Sequence, residues 1–140
     1  MPTVVITFGT FDILHPGHIN ILQRARKLGD SLVVGVSTDE LNSKKGKNDA
    51  FYNETIRENM VEALECTDIV FKEESLEKKA AYVHKFNADI LVMGEDWQGK
   101  FDWVGEHTGC KVVYLPRTDG ISTTAIKKGT VSACFAPPRR

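Results

Sequence analysis

No apolar run in this chain approaches the roughly 20 residues that a membrane-spanning helix needs, so insertion into a bilayer is not expected. Cysteine is scarce. Cys66, Cys110 and Cys134 are the three present, and their spacing does not suggest a disulfide framework, so buried or incidental thiols in a reducing compartment are expected. His107 and Cys110 stand three apart, but two donors do not make a zinc site. An excess of one charge is also missing. With 18 basic and 19 acidic side chains the net charge is −1, so long-range attraction to nucleic acid is not what organises function. The first residues, Met1-Pro2-Thr3, lack the basic segment of a secretory leader, and a cytoplasmic location is expected.

What the chain does contain is enough apolar residue for one core: 140 residues, 41% hydrophobic and 26% charged. Five apolar runs, Val4–Phe8, Leu32–Val36, Ile69–Phe71, Ile90–Met93 and Val112–Leu115, are continuous rather than alternating, as for parallel strands covered on both faces. Helical spacing falls between them. One helix is predicted over Gly17–Leu28, ending at Gly29. A second starts near Thr55, with Thr55 and Glu58 as a capping box and Ile56, Met60, Val61 and Leu64 as its apolar face. A third covers Ser75–Phe86, a short fourth Phe101–His107, and a last turn follows Thr123. This alternation predicts a single α/β domain over residues 1–129 with right-handed crossovers and ligands at the carboxyl ends of the strands. Residues 130–140 lack periodicity and read as a tail.

The most informative stretch joins the first strand to the first helix: Gly9-Thr10-Phe11-Asp12-Ile13-Leu14-His15-Pro16-Gly17-His18. His15 and His18 share one face at a helix start, where free N–H groups and the helix dipole favour an anion. Pro16 suits the first helical turn, and Gly17 leaves room for a phosphate to come close. The simpler use of the two histidines is to cap the helix.

Three other carboxyl-end loops carry unusual residues. Lys44-Lys45-Gly46-Lys47-Asn48-Asp49 reads as a cationic loop. Gly94–Phe101 nearly matches a phosphate-binding P-loop, but Phe101 replaces the hydroxyl residue that would meet magnesium, and Glu95 and Asp96 would repel a phosphate. Pro116–Thr124 offers Arg117, a turn glycine and hydroxyls ahead of a helix, again donors for phosphate.

Together these segments resemble the cytidylyltransferases of the HxGH nucleotidylyltransferase superfamily, over residues 3–128. Within them Val92–Asp102 is most similar to the branch that acts on glycerol 3-phosphate. The resemblance implies a Rossmann-like five-stranded parallel sheet with helices on both faces, a homodimer, and Mg2+ bound through the CTP phosphates. It also implies that Thr10, Phe11, His15, Pro16, Gly17 and His18 contact CTP, with both histidines on its phosphates and Lys47 on the triphosphate. Asp96 would lie at the nucleotide pocket, and Arg117, Thr118, Asp119, Gly120, Ile121, Ser122, Thr123 and Thr124 would wrap the ribose and phosphates. His15, His18, Lys47 and Arg117 would be catalytic, and Lys45 and Lys79 would hold the acceptor's phosphate.

Two positions depart from the family. Glu65 stands where an arginine is usual, and Leu76 where the nearest branch tends to have tryptophan. A carboxylate beside the acceptor would suit a cationic one, so choline phosphate and ethanolamine phosphate are alternative acceptors, with Trp97, Trp103, Phe51 or Tyr52 as an aromatic surface. Adenylyl transfer from ATP and a nucleotide sensor without turnover are further alternatives.

Overall fold

Valine-rich runs that bury both faces build the sheet. The computed structural model describes residues 2–44, 50–118 and 126. The strands β1 (Val4–Gly9), β2 (Ser31–Ser37), β3 (Ile69–Glu73), β4 (Ile90–Gly94) and β5 (Lys111–Leu115) each run one or two residues beyond their apolar cores. All pairings are parallel and the strand order is β3-β2-β1-β4-β5. The chain therefore starts in the middle and winds outward twice, reversing direction between β1 and β4. In such a sheet, that reversal opens a crevice at the carboxyl ends of the strands.

Among the described residues five helices make the crossovers: α1 (Pro16–Lys27), α2 (Asp39–Lys44), α3 (Glu54–Glu62), α4 (Lys79–Lys85) and α5 (Asp102–Thr108). Helices α1 and α3 cover one face, where Leu22, Ala25 and Val61 pack on Val5, Leu32, Val34 and Val92. Helices α4 and α5 cover the other, where Val83 and Val104 pack on Ile6, Phe8, Val33 and Leu91. Each fully buried aliphatic side chain contributes about 1.5–3 kcal/mol. The expected Rossmann-like α/β sheet is what forms.

Three local expectations are corrected. Helix α3 is capped by Asn53, whose Oδ1 accepts from Ile56 N at 3.0 Å, so Thr55 is already inside the helix. Its buried face is Arg57 and Val61, while Ile56 is 41% exposed, because Arg57 turns inward to meet backbone carbonyls. The predicted third helix divides into a 3-10 turn, Leu76–Lys78, followed by α4. Helix α2 was not anticipated. Its six residues are too few to show periodicity, and it starts where Thr38 Oγ1 accepts from Leu41 N.

Candidate active site

The turn between β1 and α1 is strained. Phe11 and Ile13 have φ of 52° and 50°, a region that bulky and β-branched residues seldom occupy, at about 1–3 kcal/mol each. The Phe11 ring folds back over Gly9, where a Cβ would stand 2.8 Å from the ring. The same ring meets His18 edge-on at 5.6 Å.

His15 is the N-cap of α1, and its Nδ1 accepts from Gly17 N at 3.0 Å. The capping use and the ligand-facing use are therefore compatible. An accepting Nδ1 in a neutral ring places the proton on Nε2, leaving that N–H to donate outward. The His15 and His18 rings stack, with centroids 3.8 Å apart. Gly17 is required by this arrangement, since a Cβ there would come within 2.7 Å of the His15 ring. The glycine thus makes room for an imidazole, which refines the expectation that it makes room for a phosphate.

Burial lowers the pKa of both rings. His15 lies below its ordinary value through desolvation. His18 is pushed down to about 3, chiefly by burial and then by His15, with the Asp12 charge opposing. At pH 7 both are neutral N–H donors. His18 Nδ1 is buried with no hydrogen-bond partner among the described residues, which leaves a buried polar atom for a ligand to satisfy.

This geometry predicts acid sensitivity. Between pH 6.5 and about 3 the unfolded chain protonates His18 while the folded chain does not, so stability falls as pH falls. Urea unfolding of the wild type should lose more stability between pH 7 and pH 5 than His18→Gln loses, by about 1–2 kcal/mol. Equal losses would show that His18 titrates normally.

Around the histidines the structure gathers several of the sequence-predicted residues. Thr10 Oγ1 donates to Asn42 Oδ1 at 3.3 Å and lies 3.1 Å from Ser37 Oγ. Thr118 Oγ1 accepts from Asn20 Nδ2 at 3.0 Å, which holds the segment after β5 against α1. Arg117 Nη1 lies 3.6 Å from Asp96 Oδ1, both of them exposed, and Arg117 N donates to Glu95 Oε1. Thus the loops after β1, β4 and β5 converge. Lys45, Lys47 and Asp119–Thr124 fall outside the described residues, as does the expected helix start at Thr123.

Lys79 is placed differently from the expectation. It is 1% exposed and pairs with Glu73, with its ammonium 4.2 Å from the Phe8 ring centre and 4.8 Å from that of Phe101. Desolvation holds its pKa below the usual lysine value, and the Glu73 carboxylate works against that shift. The ammonium therefore faces a core carboxylate. Glu65 is exposed in the turn before β3, at the amino end of the sheet and opposite the histidine turn. Within the chain it therefore lies at the other end of the sheet from His15 and His18.

Residues that were not singled out from the sequence complete the arrangement. Asp12 is 4% exposed and accepts from Phe51 N at 2.6 Å and Tyr52 N at 3.0 Å. Arg57 is 0% exposed and donates to Thr10 O, Ser37 O, Tyr52 O and Asp39 Oδ1. Asn42 is buried with its Nδ2 unpartnered among the described residues. An arginine between Ile56 and Glu58 gives no sign in sequence that it turns inward.

Comparison with known proteins agrees with the geometry. A family model described as cytidylyltransferase-like matches residues 6–129. The chain is 50% identical over 124 residues to the glycerol-3-phosphate cytidylyltransferase of Bacillus subtilis (strain 168), covering 89% of this chain and 94% of that one. It is 48% identical to the enzyme of the same name from Staphylococcus aureus (strain NCTC 8325 / PS 47), covering 89% and 92%. Among solved structures it resembles a lipopolysaccharide core biosynthesis protein from Thermoplasma volcanium GSS1, with a TM-score of 0.76 and 27% identity, covering 85% of this chain and 100% of that one.

Proposed function

The chain belongs to the cytidylyltransferase-like family, and from that membership we propose that it transfers the cytidylyl group of CTP to sn-glycerol 3-phosphate, giving CDP-glycerol and pyrophosphate. The observation that carries the reading is the stacked pair of neutral imidazoles at the N-terminus of α1, on the family's signature turn.

The acceptor's phosphate oxygen attacks the α-phosphorus of CTP, a new P–O bond forms, and the bond to the departing pyrophosphate breaks. The nucleophile needs no general base. The second pKa of a phosphate monoester is about 6, so it is mostly a dianion at pH 7. The obstacle is the approach of two polyanions, which calls for positioning and charge stabilisation. Neutral His15 and His18 serve the charge stabilisation, since an N–H donor held by packing needs no reorganisation as charge grows on the phosphate oxygens. Lys45, Lys47 and Arg117 are assigned to hold the substrates together by offsetting their charge, with Lys47 and Arg117 on the triphosphate and Lys45 on the acceptor.

The donors around the turn are nitrogen groups suited to phosphate oxygens, which fits an ion carried in on the nucleotide. Magnesium bound to the triphosphate would neutralise part of its charge. The homodimer and the cytoplasmic location belong to the same reading. Ile69, 47% exposed at the start of edge strand β3, is apolar surface available for self-association. No helix among the described residues is long and apolar enough to cross a membrane.

Pyrophosphate release from CTP with magnesium tests the proposal directly, with glycerol 3-phosphate, choline phosphate and ethanolamine phosphate compared as acceptors. Release with glycerol 3-phosphate alone is expected. Release only with a cationic acceptor would overturn the substrate assignment. Tight CTP binding without release for any acceptor would overturn the enzymatic one.

A further inference from the structure

We propose that Asp12 and Arg57 are positioning residues for this reaction, locking the strained turn that aims His15 and His18. The inference rests on the functional reading above. Nothing local favours the turn's conformation: Phe11 and Ile13 both sit at positive φ, and neither residue type prefers it. Such a backbone persists only where its surroundings hold it, and here the holding groups can be named.

Asp12 lies between the two strained residues, and its carboxylate receives the Phe51 and Tyr52 N–H groups at 2.6 and 3.0 Å. Arg57 grips the backbone leading into the same turn and the segments beside it. Its Nη1 donates to Thr10 O at 2.9 Å, just before the turn, and to Ser37 O at 2.8 Å. Its Nε donates to Tyr52 O at 3.0 Å, and its Nη2 to Asp39 Oδ1 at 2.7 Å. Asp39 is held in turn by exchanging bonds with Glu54, at 3.0 and 3.1 Å. Thus Phe51–Tyr52 is bound through its N–H groups by Asp12 and through a carbonyl by Arg57, while Arg57 also fixes Thr10. The turn and the start of α3 form one unit. Arg57 is 0% and Asp12 4% exposed, and both hold the backbone that carries the histidines.

A double-mutant cycle distinguishes this role from a general loss of folding. Turnover at saturating CTP and glycerol 3-phosphate is measured for wild type, Asp12→Asn, His18→Ala and the double variant. The folded fraction at the assay temperature comes from thermal melting. Asp12→Asn preserves shape but loses the charge and one acceptor, and should lower turnover about 10- to 100-fold through misplacement of the donors. In the His18→Ala background the same change should cost clearly less than in the wild type, because one of the two groups being positioned is already gone. A folded Asp12→Asn enzyme within about threefold of wild type would overturn the proposal, and so would losses that simply multiply. If Asp12→Asn is not folded, Arg57→Lys takes its place in the cycle, since one ammonium cannot serve four acceptors. The wild-type arm separately tests the reading beneath: without pyrophosphate release there, the transferase assignment fails before the positioning question arises.

Discussion

Replacing His18 with alanine should lower turnover by about 100- to 1000-fold while leaving the protein folded. The loss is that of an N–H donor to oxygens whose charge grows in the transition state. The fold should survive because His18 sits in the first turn of α1, where alanine is a better helix former, and because the change removes a buried nitrogen that has no partner among the described residues. His15→Ala is the informative contrast. It removes a comparable donor and also the N-cap bond to Gly17, so it should cost about 1 kcal/mol of stability besides activity. Steady-state pyrophosphate release and thermal melting of both variants check the pair. A folded His18→Ala enzyme within a few-fold of wild type would remove the histidine from the mechanism.

Replacing Lys79 with methionine should produce the largest loss of stability. Glu73 is 1% exposed and Lys79 is its ion-pair partner, so the substitution strands a carboxylate in the core. Breaking a buried pair in this way costs about 3–5 kcal/mol, a large share of the 5–15 kcal/mol typical of a domain. The melting temperature should fall by roughly 10 °C or more. Glu73→Leu with Lys79→Met should recover most of this, because apolar replacement of both partners avoids the desolvation of either charge. Recovery will be incomplete to the extent that the ammonium's contacts with Phe8 and Phe101 are favourable. The double variant also separates the two roles open to Lys79. With stability restored, an unchanged KM for glycerol 3-phosphate is expected of a lysine turned to Glu73. A KM raised tenfold or more would return it to the acceptor's phosphate, as the family resemblance implies.

How far each feature could be read in advance follows from the range of the interactions that make it. The five strands were legible because continuous apolar runs between helical patterns carry the signal locally. His15 and His18 were legible for the same reason: strand, turn and helix are adjacent in sequence, and a spacing of three fixes a shared face. Their protonation was not legible. Neutrality comes from burial against Phe11 and each other, which depends on a turn conformation that Phe11 and Ile13 do not favour. Arg57 was hidden because its four acceptors come from Thr10, Ser37, Asp39 and Tyr52, spread over three segments of chain. Glu65 shows the same limit, because sequence marks a changed residue without showing which end of the sheet holds it.

Residue pattern was thus enough for the α/β class, the order of strands and helices along the chain, and the strand-to-helix turn that carries His15 and His18. Each is set by periodicity, turn chemistry and capping within about ten residues. The order of strands in the sheet, the inward roll of Arg57, the pairing of Lys79 with Glu73, and the placing of Glu65 at the opposite end of the sheet from the histidines all come from long-range packing. Desolvation accounts for the difference. A charged side chain is buried only where partners meet it, and those partners are brought together by the packing of segments distant in sequence.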